Sequence, residues 1–442
     1  MDFLYKTSSR LALAIAAGLM MTGSAARAAD LGGDCCADLE ERVAALEATS
    51  VTHGNRKVSL KISGYLNAGV LWWGDVGGST DVRDPAFGDH NSGIDVVNAD
   101  TAQSRFVLEG AAKIRQDLSA GFSIGIRPWG DKLSAISQIN HNPSPNNVDI
   151  RDTYVFLDAK NIGKVQLGEQ VSAADGAFYE DLGGSSTWIA SVNPGGWNTA
   201  FHLRDQTGGL TNVSWGGLLQ EMSDSQTPRA AFYSRELGGF QLAASVGSET
   251  WAAALYYNQK YGSLAVSAGI GYDVSTGNEA LTTQLVGNNL IGQNNSQLAK
   301  LGMSGSLYES NSGLYGTAGY SKTAAAVAGR NDAANLYGKL GWRKNVNGIG
   351  ETNFYGEYDR TAEAYANDVN ANMWGAGITQ DIDATASVLY LGYRHTNLET
   401  AIDGANLIAT AQQTTCGCAA DPAGRIGSQG FGAVLGGMVV QF

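Results

Sequence analysis

The sequence predicts an all-β protein, a sixteen-stranded antiparallel transmembrane β-barrel preceded by a short N-terminal helix. Three observations predict it. From Lys57 onward, apolar residues recur at every second position, so each such segment has one greasy face and one polar face. The connections alternate between tight turns carrying Gly and long polar loops. The final segment keeps its alternation to the last residue: Val434, Met438, Val440 and Phe442 share one parity, while Gly437, Val439 and Gln441 take the other. Such a greasy face needs either the core of a soluble sandwich or lipid, and the elements in order decide between them.

The first element reads as an export signal. Lys6 and Arg10 precede the apolar run Leu11 to Met21, and Ala26-Arg27-Ala28 supplies small residues for cleavage before Ala29. That order marks a secretory signal peptide, too short to span a bilayer as a helix. The expected division is a signal peptide at 1–28, a periplasmic segment at 29–56 and the barrel at 57–442. Within the second, Asp34 to Ser50 has helical spacing: Cys36, Leu39, Val43 and Leu46 form one seam, with Glu40, Glu41, Arg42 and Glu47 on the other faces. Two readings stay open, a small coiled coil joining protomers and a solitary amphipathic helix, because two heptads alone are marginal.

Strands follow. Val58, Leu60 and Ile62 alternate with Ser59, Lys61 and Ser63 in the first, at 57–72, which closes on Leu71-Trp72-Trp73. In the second, at 103–117, Phe106, Leu108, Ala112 and Ile114 oppose Arg105, Glu109, Lys113 and Arg115. One charged and one apolar face suit a water-filled barrel, where Glu109, Lys113, Arg115 and, on the third strand, Arg127 would line the lumen. Further strands are expected at 121–130, 150–159, 164–172, 228–236, 239–248, 250–259, 262–273, 298–309, 312–322, 334–344, 350–360, 372–382, 384–396 and 429–442. The short turns lie at Asp117 to Gly121, Asn161-Ile162-Gly163, Leu237-Gly238-Gly239, Tyr261-Gly262 and Ser310 to Gly313. An even strand number, with short turns at one end and long loops at the other, favours the membrane barrel over the sandwich.

Composition agrees. Gly is abundant at 58 residues and Pro scarce at 7, with 18 Tyr and 9 Trp to supply interfacial aromatics. The formal charge of -13 and the lack of a basic stripe exclude nucleic acid as a partner. The cysteines form two close pairs, Cys35-Cys36 and Cys416-Gly417-Cys418, neither with zinc-ligand spacing, and the five His are scattered, so no metal or cofactor is expected. In an exported chain Cys416 and Cys418 are a candidate disulfide, and the first pair a candidate bridge between subunits.

The segment Ser172 to Thr227 is far longer than an ordinary connection. It holds Asp175, Glu180, Asp181, Trp188, Trp197, Arg204 and Asp205. It either folds into the lumen and narrows it or forms a lid outside.

These segments resemble the Gram-negative general porins of the outer membrane. Ser104-Arg105-Phe106-Val107-Leu108-Glu109-Gly110 is similar to that family's second strand, and Arg151 to Gln170 to its fourth strand, turn and fifth strand. Phe442 resembles the terminal aromatic residue read by the outer-membrane barrel assembly machinery. The resemblance implies a homotrimer set in outer-membrane lipid and lipopolysaccharide, each barrel with its third external loop folded inward. It also implies basic wall residues facing loop acids across a pore constriction. Arg105 and Arg151 match wall positions, with Arg229 or Arg235 as a further member; Glu180, Asp181 and Asp175 are the acids their place in the loop suggests. The chain departs from the pattern where Tyr65 or Asn67 stands in place of a first-strand basic residue, and in the length of the loop from Ser172. Opposed charges across a narrow aqueous passage orient water and favour polar solutes.

The function expected is passive diffusion of ions and small hydrophilic solutes. The alternative is a channel selective for a sugar or an acidic solute, with an envelope-tethering N-terminal segment. Phe178, Tyr179, Trp188 and Trp197 would then be either a sugar slide or packing for the loop. A barrel hydrolase would need a Ser served by an oriented His, yet no Gly-x-Ser-x-Gly elbow occurs and His395 shares parity with Leu389, Leu391 and Tyr393. No catalytic residue is therefore expected.

Overall fold

The computed structural model describes residues 58–76, 91–99, 103–129, 133–141, 147–190, 197–204, 210–219, 226–275, 298–324, 331–363, 367–400, 426 and 429–442. The signal peptide, the 34–50 helix, all four cysteines and Asp205 lie outside the described residues.

The strands are β1 (Ser59–Val76), β2 (Ser92–Val97), β3 (Arg105–Arg115), β4 (Leu118–Trp129), β5 (Asn147–Ala159), β6 (Gly163–Gln170), β7 (His202–Arg204), β8 (Leu210–Ser214), β9 (Thr227–Ser234) and β10 (Phe240–Gly247). There follow β11 (Thr250–Tyr261), β12 (Leu264–Ser275), β13 (Leu298–Glu309), β14 (Leu314–Thr323), β15 (Ala333–Lys344), β16 (Thr352–Ala362), β17 (Ala371–Ile382), β18 (Ser387–Leu398) and β19 (Gly430–Gln441). A one-turn helix, α1 (Trp215–Leu218), follows β8.

All but β7 and β8 belong to one antiparallel sheet in which each strand pairs with its neighbours and β19 returns to β1. The closing seam runs from Tyr65↔Gln441 to Val76↔Gly430, and Gly64 and Phe442 exchange both backbone hydrogen bonds at 3.0 Å. Closure removes the free strand edges that lipid could not satisfy. β2 and β3 both pair with β1, at its upper and lower halves, so together they form one interrupted barrel strand and the count is sixteen. The sequence reading missed β2 because only Ile94 and Val96 show its greasy face, within a polar stretch.

The side chains sort as a membrane barrel requires. Leu66, Val70, Leu157, Leu242, Leu307, Leu336, Leu391 and Val440 are exposed on the outer face, while Gln166, Ser267, Ser306, Asn335, Glu357 and Arg394 are buried on the inner face. Phe442 lies outward beside Phe106, ring centroids 5.3 Å apart. Turns at one end are short. The other end carries the long loops, with one exception: Ser248-Glu249 alone joins β10 to β11. The long loop between β6 and β9 folds back into the barrel and contains the β7–β8 hairpin.

Candidate pore constriction

After β6 the chain turns inward, and a single 3-10 turn, Asp175–Phe178, lies flat on the inner wall of β12 and β13. Glycines make that contact feasible. Gly271 and Gly302 face one another in register. A Cβ on Gly302 would lie 2.3 Å from the Phe178 ring, and one on Gly269 would lie 2.6 Å from Ala177 Cα. Backbone brought into such a seam must find partners, and inward serines supply them. Ser245 Oγ accepts from Ala173 N (3.0 Å), Ser304 Oγ from Glu180 N (2.7 Å) and Ser306 Oγ from Leu182 N (2.9 Å). Tyr256 OH donates to Ala173 O at 2.6 Å.

The acids of the loop point into the same seam. Asp181 Oδ2 lies 2.5 Å from Lys339 Nζ of β15, with both side chains 0% exposed. Its Oδ1 accepts from Gly183 N (2.7 Å) and Thr317 Oγ1 (2.9 Å). The Lys339 ammonium also donates to Ser185 Oγ (3.2 Å) and Ala190 O (3.1 Å). Glu180 is buried against Ser267 of β12. Burial pushes its carboxyl up to about 8; the Ser267 hydroxyl opposes that rise and Asp181 adds to it. Hydrogen-bond connectivity agrees. Ser267 Oγ, which has one proton to give, lies 2.7 Å from Asn258 Oδ1 and is also close to Glu180 Oε2. A protonated Glu180 can donate to Ser267 and leave that hydroxyl to serve Asn258. Asp175 is 2% exposed.

Farther along, Asn353 Nδ2 donates to Gly183 O at 2.5 Å and Asn198 Nδ2 to Thr396 Oγ1 at 3.1 Å. Arg394 of β18 holds Glu357 of β16 by two hydrogen bonds, 2.8 and 3.2 Å, and lies 4.7 Å from the centre of the Trp197 ring. The loop thus follows the inner wall from β10 to β18. Near the mouth its hairpin enters an apolar cluster containing Trp73, Phe201, Trp215, Leu218 and Phe431. There Gln138 exchanges hydrogen bonds with the backbone of His202, and Gln429 with that of Arg204, so two side-chain amides act as short neighbouring strands for β7. Arg204 Nε donates to Asp75 at 3.0 Å.

Opposite this lining stand β1 and β3–β6. Arg105 faces inward with its guanidinium 5.1 Å over the Tyr65 ring, and Tyr65 meets loop residue Trp188 edge-on at 5.4 Å. Arg105 therefore lies next to the place where the loop comes nearest to this wall. One row on, inward-facing Arg127 pairs with Asp149 and donates to Gln103. Arg151 occupies a bulge: Gly125 pairs with Asp152 and Ile126 with Ile150, leaving Arg151 unmatched and turned against the Asp152 carboxylate at 2.9 Å. Glu109 and Lys113 face inward on β3; Arg115 meets Asp117 at the turn, 2.6 Å away. Arg229 is buried on the inner face of β9, whereas Arg235 pairs with Asp158 at the turn end.

The structure thus puts Arg105, Arg127 and Arg151 on one wall. It places Asp175, Glu180 and Asp181 in the seam on the other side, where the carboxylate of Asp181 meets Lys339 instead of a wall arginine. Phe178, Trp188 and Trp197 are buried and pack the loop to the wall. Lys339, Arg394, Glu357 and the serine row were not singled out from sequence. The only trace of them there is a polar or small residue at alternate strand positions.

Lipid-facing outside, polar inside and narrowed by its own loop, the molecule is an outer-membrane channel. The chain belongs to the Gram-negative porin family, whose model matches residues 12–401. Among solved structures it is similar to an OmpT of Vibrio cholerae lacking loop L8, at 14% identity and TM-score 0.50, covering 87% of this chain and 100% of that chain. In-vitro folded OmpT of Vibrio cholerae in its trimer form follows at 13% and 0.49, covering 87% and 99%. OmpF of Salmonella typhi in complex with daunomycin matches at 13% and 0.49, covering 87% and 98%. At 14% identity the likeness to the first of these is one of fold. A search of curated proteins found no match.

Proposed function

We propose that the channel passes ions and small hydrophilic solutes by passive diffusion, without any covalent step. The observation that carries this reading is the loop held along the inner wall from β10 to β18, with a charged wall left opposite it. On this reading Arg105, Arg127 and Arg151 form the wall side of the narrow zone, and Asp175, Glu180 and Asp181 act by fixing the loop.

We also infer a homotrimer joined through the outer faces of β2–β6. Among described side chains, outward Trp and Tyr mark the water interfaces on β1 (Trp72), β11 (Trp251), β12 (Tyr272), β16 (Tyr358) and β17 (Trp374). On β2–β6 the exposed large hydrophobic side chains, such as Ile94, Val96, Phe106, Val155 and Leu167, are aliphatic or Phe, as suits a face that meets protein. Outward Lys322 and Arg360, near the loop-bearing rim and half exposed, suit lipopolysaccharide phosphates. Phe442 suits recognition by the assembly machinery. Purified protein in planar bilayers should insert in conductance steps of three; folded protein giving no steps would overturn the channel reading.

A further inference from the structure

We infer that the narrow zone is charged on one side only and that the channel prefers anions, with Arg105 as the residue that sets this preference. The inference rests on the channel reading above and deepens it.

The described part of the inward loop has three carboxylates, and none reaches the water of the passage. Asp175 and Glu180 are each 2% exposed, and the Asp181 side chain is fully buried against Lys339. The wall beneath the loop is equally quiet. Glu357 is bound by Arg394, Asp359 takes two hydrogen bonds from Asn335, and Asp95 and Asp273 are more than nine-tenths buried. A buried carboxylate beside its own counter-ion projects little field into the lumen.

The facing wall is different. Asp149, Asp152 and Asp158 each meet an arginine (Arg127, Arg151 and Arg235), so those pairs cancel locally. On β1 and β3, Lys61, Arg105 and Lys113 share the inward face with two acids: Glu109, which lies across from Lys61 in the register, and Asp75, which is neutralised by Arg204 at 3.0 Å. Of the three cations, Arg105 is at the narrow place, beside Tyr65 and Trp188. An aromatic ring under the guanidinium leaves the charge intact. Charges exposed to solvent more than about one Debye length from an ion's path are screened by salt. The acidic overall composition is therefore a poor guide to selectivity.

A unit charge about 5 Å from the path of an ion in water changes its local occupancy roughly fourfold, and about twofold once 0.1 M salt screens it. The test is the zero-current potential of the full-length channel in a KCl gradient, with heat-modifiable migration on gels as the check on folding. The wild type should show an anion-selective sign. Arg105→Gln should lower the chloride-to-potassium permeability ratio about fourfold, because chloride occupancy falls and potassium occupancy rises, each about twofold. Glu180→Gln, which keeps the shape of a side chain already out of the water, should leave the ratio unchanged. A cation-selective wild type, or a ratio that moves with Glu180→Gln but not with Arg105→Gln, would overturn the inference while leaving the channel reading in place. Absence of conductance from folded protein would overturn both.

Discussion

Replacing Lys339 by Met should release the middle of the loop while leaving the barrel closed. Lys339 sits on an inner wall position of β15, and its ammonium is the counter-ion of Asp181 and a donor to Ser185 and Ala190. Methionine fills similar volume but leaves the Asp181 carboxylate buried without a cation. Breaking a buried pair from one side costs about 3–5 kcal/mol. At about 1.4 kcal/mol per tenfold, the docked-to-released ratio of that segment should fall by roughly two to three and a half orders of magnitude. The outer face of β15 and its backbone pairing are untouched, so folded migration on gels should survive. Single-channel records should show a noisier open state with frequent partial closures as the freed loop moves. Lys339→Met combined with Asp181→Asn should recover most of the quiet behaviour, because Asn still accepts from Gly183 and Thr317 through its oxygen. If Lys339→Met alone gives wild-type conductance and noise, the pair does not hold the loop and the reasoning fails.

Three other outcomes are expected. Gly302→Leu should expel Phe178 from the β13 wall, since even a Cβ would meet its ring at 2.3 Å; a protease-resistant loop in that variant would contradict the glycine floor. Glu180 has its carboxyl raised from 4.5 to about 8 in the docked loop, so docking is strongest below about 4.5, weakens as pH rises from there to about 8, and levels off above. Channel noise should therefore increase from pH 6 to 9 in the wild type and stay flat in Glu180→Gln; equal slopes would remove Glu180 from the account. Phe442→Ser should lower the yield of folded barrel and its melting temperature by a few degrees through loss of the contact with Phe106, measured by heat-modifiable migration, and normal yield with an unchanged midpoint would exclude that role.

The barrel was legible because its signal is local. A strand of two-residue period, such as Phe240 to Gly247, declares both faces within eight residues. Turns with Gly238 or Gly262 at positive φ are equally local. The interior of the constriction has no such signal. Asp181 and Lys339 are far apart in the chain, and nothing around Lys339, set between Gly338 and Leu340, marks it off from an ordinary lumen residue. Location in the loop was enough to find Glu180 and Asp181. It could not say which wall they would meet, because that depends on where glycines and serines leave room across four strands. Arg105 needed only strand parity to be placed inward, whereas the bulge that re-aims Arg151 is a matter of pairing with β4.

The loop that narrows this channel is synthesised before the wall it rests on. Arg204 meets Gln429 across 225 positions and Asn198 meets Thr396 across 198. Its docking site therefore does not exist until β18 and β19 are in place. The terminal strand thereby closes two things at once, the cylinder and the contents of the cylinder. An assembly intermediate lacking β19 would be an open sheet carrying its own unfolded stopper, with Trp73, Phe201 and Trp215 still awaiting Phe431. Such a species would be wide and sticky, and the last step of maturation would convert it from a leak into a filter.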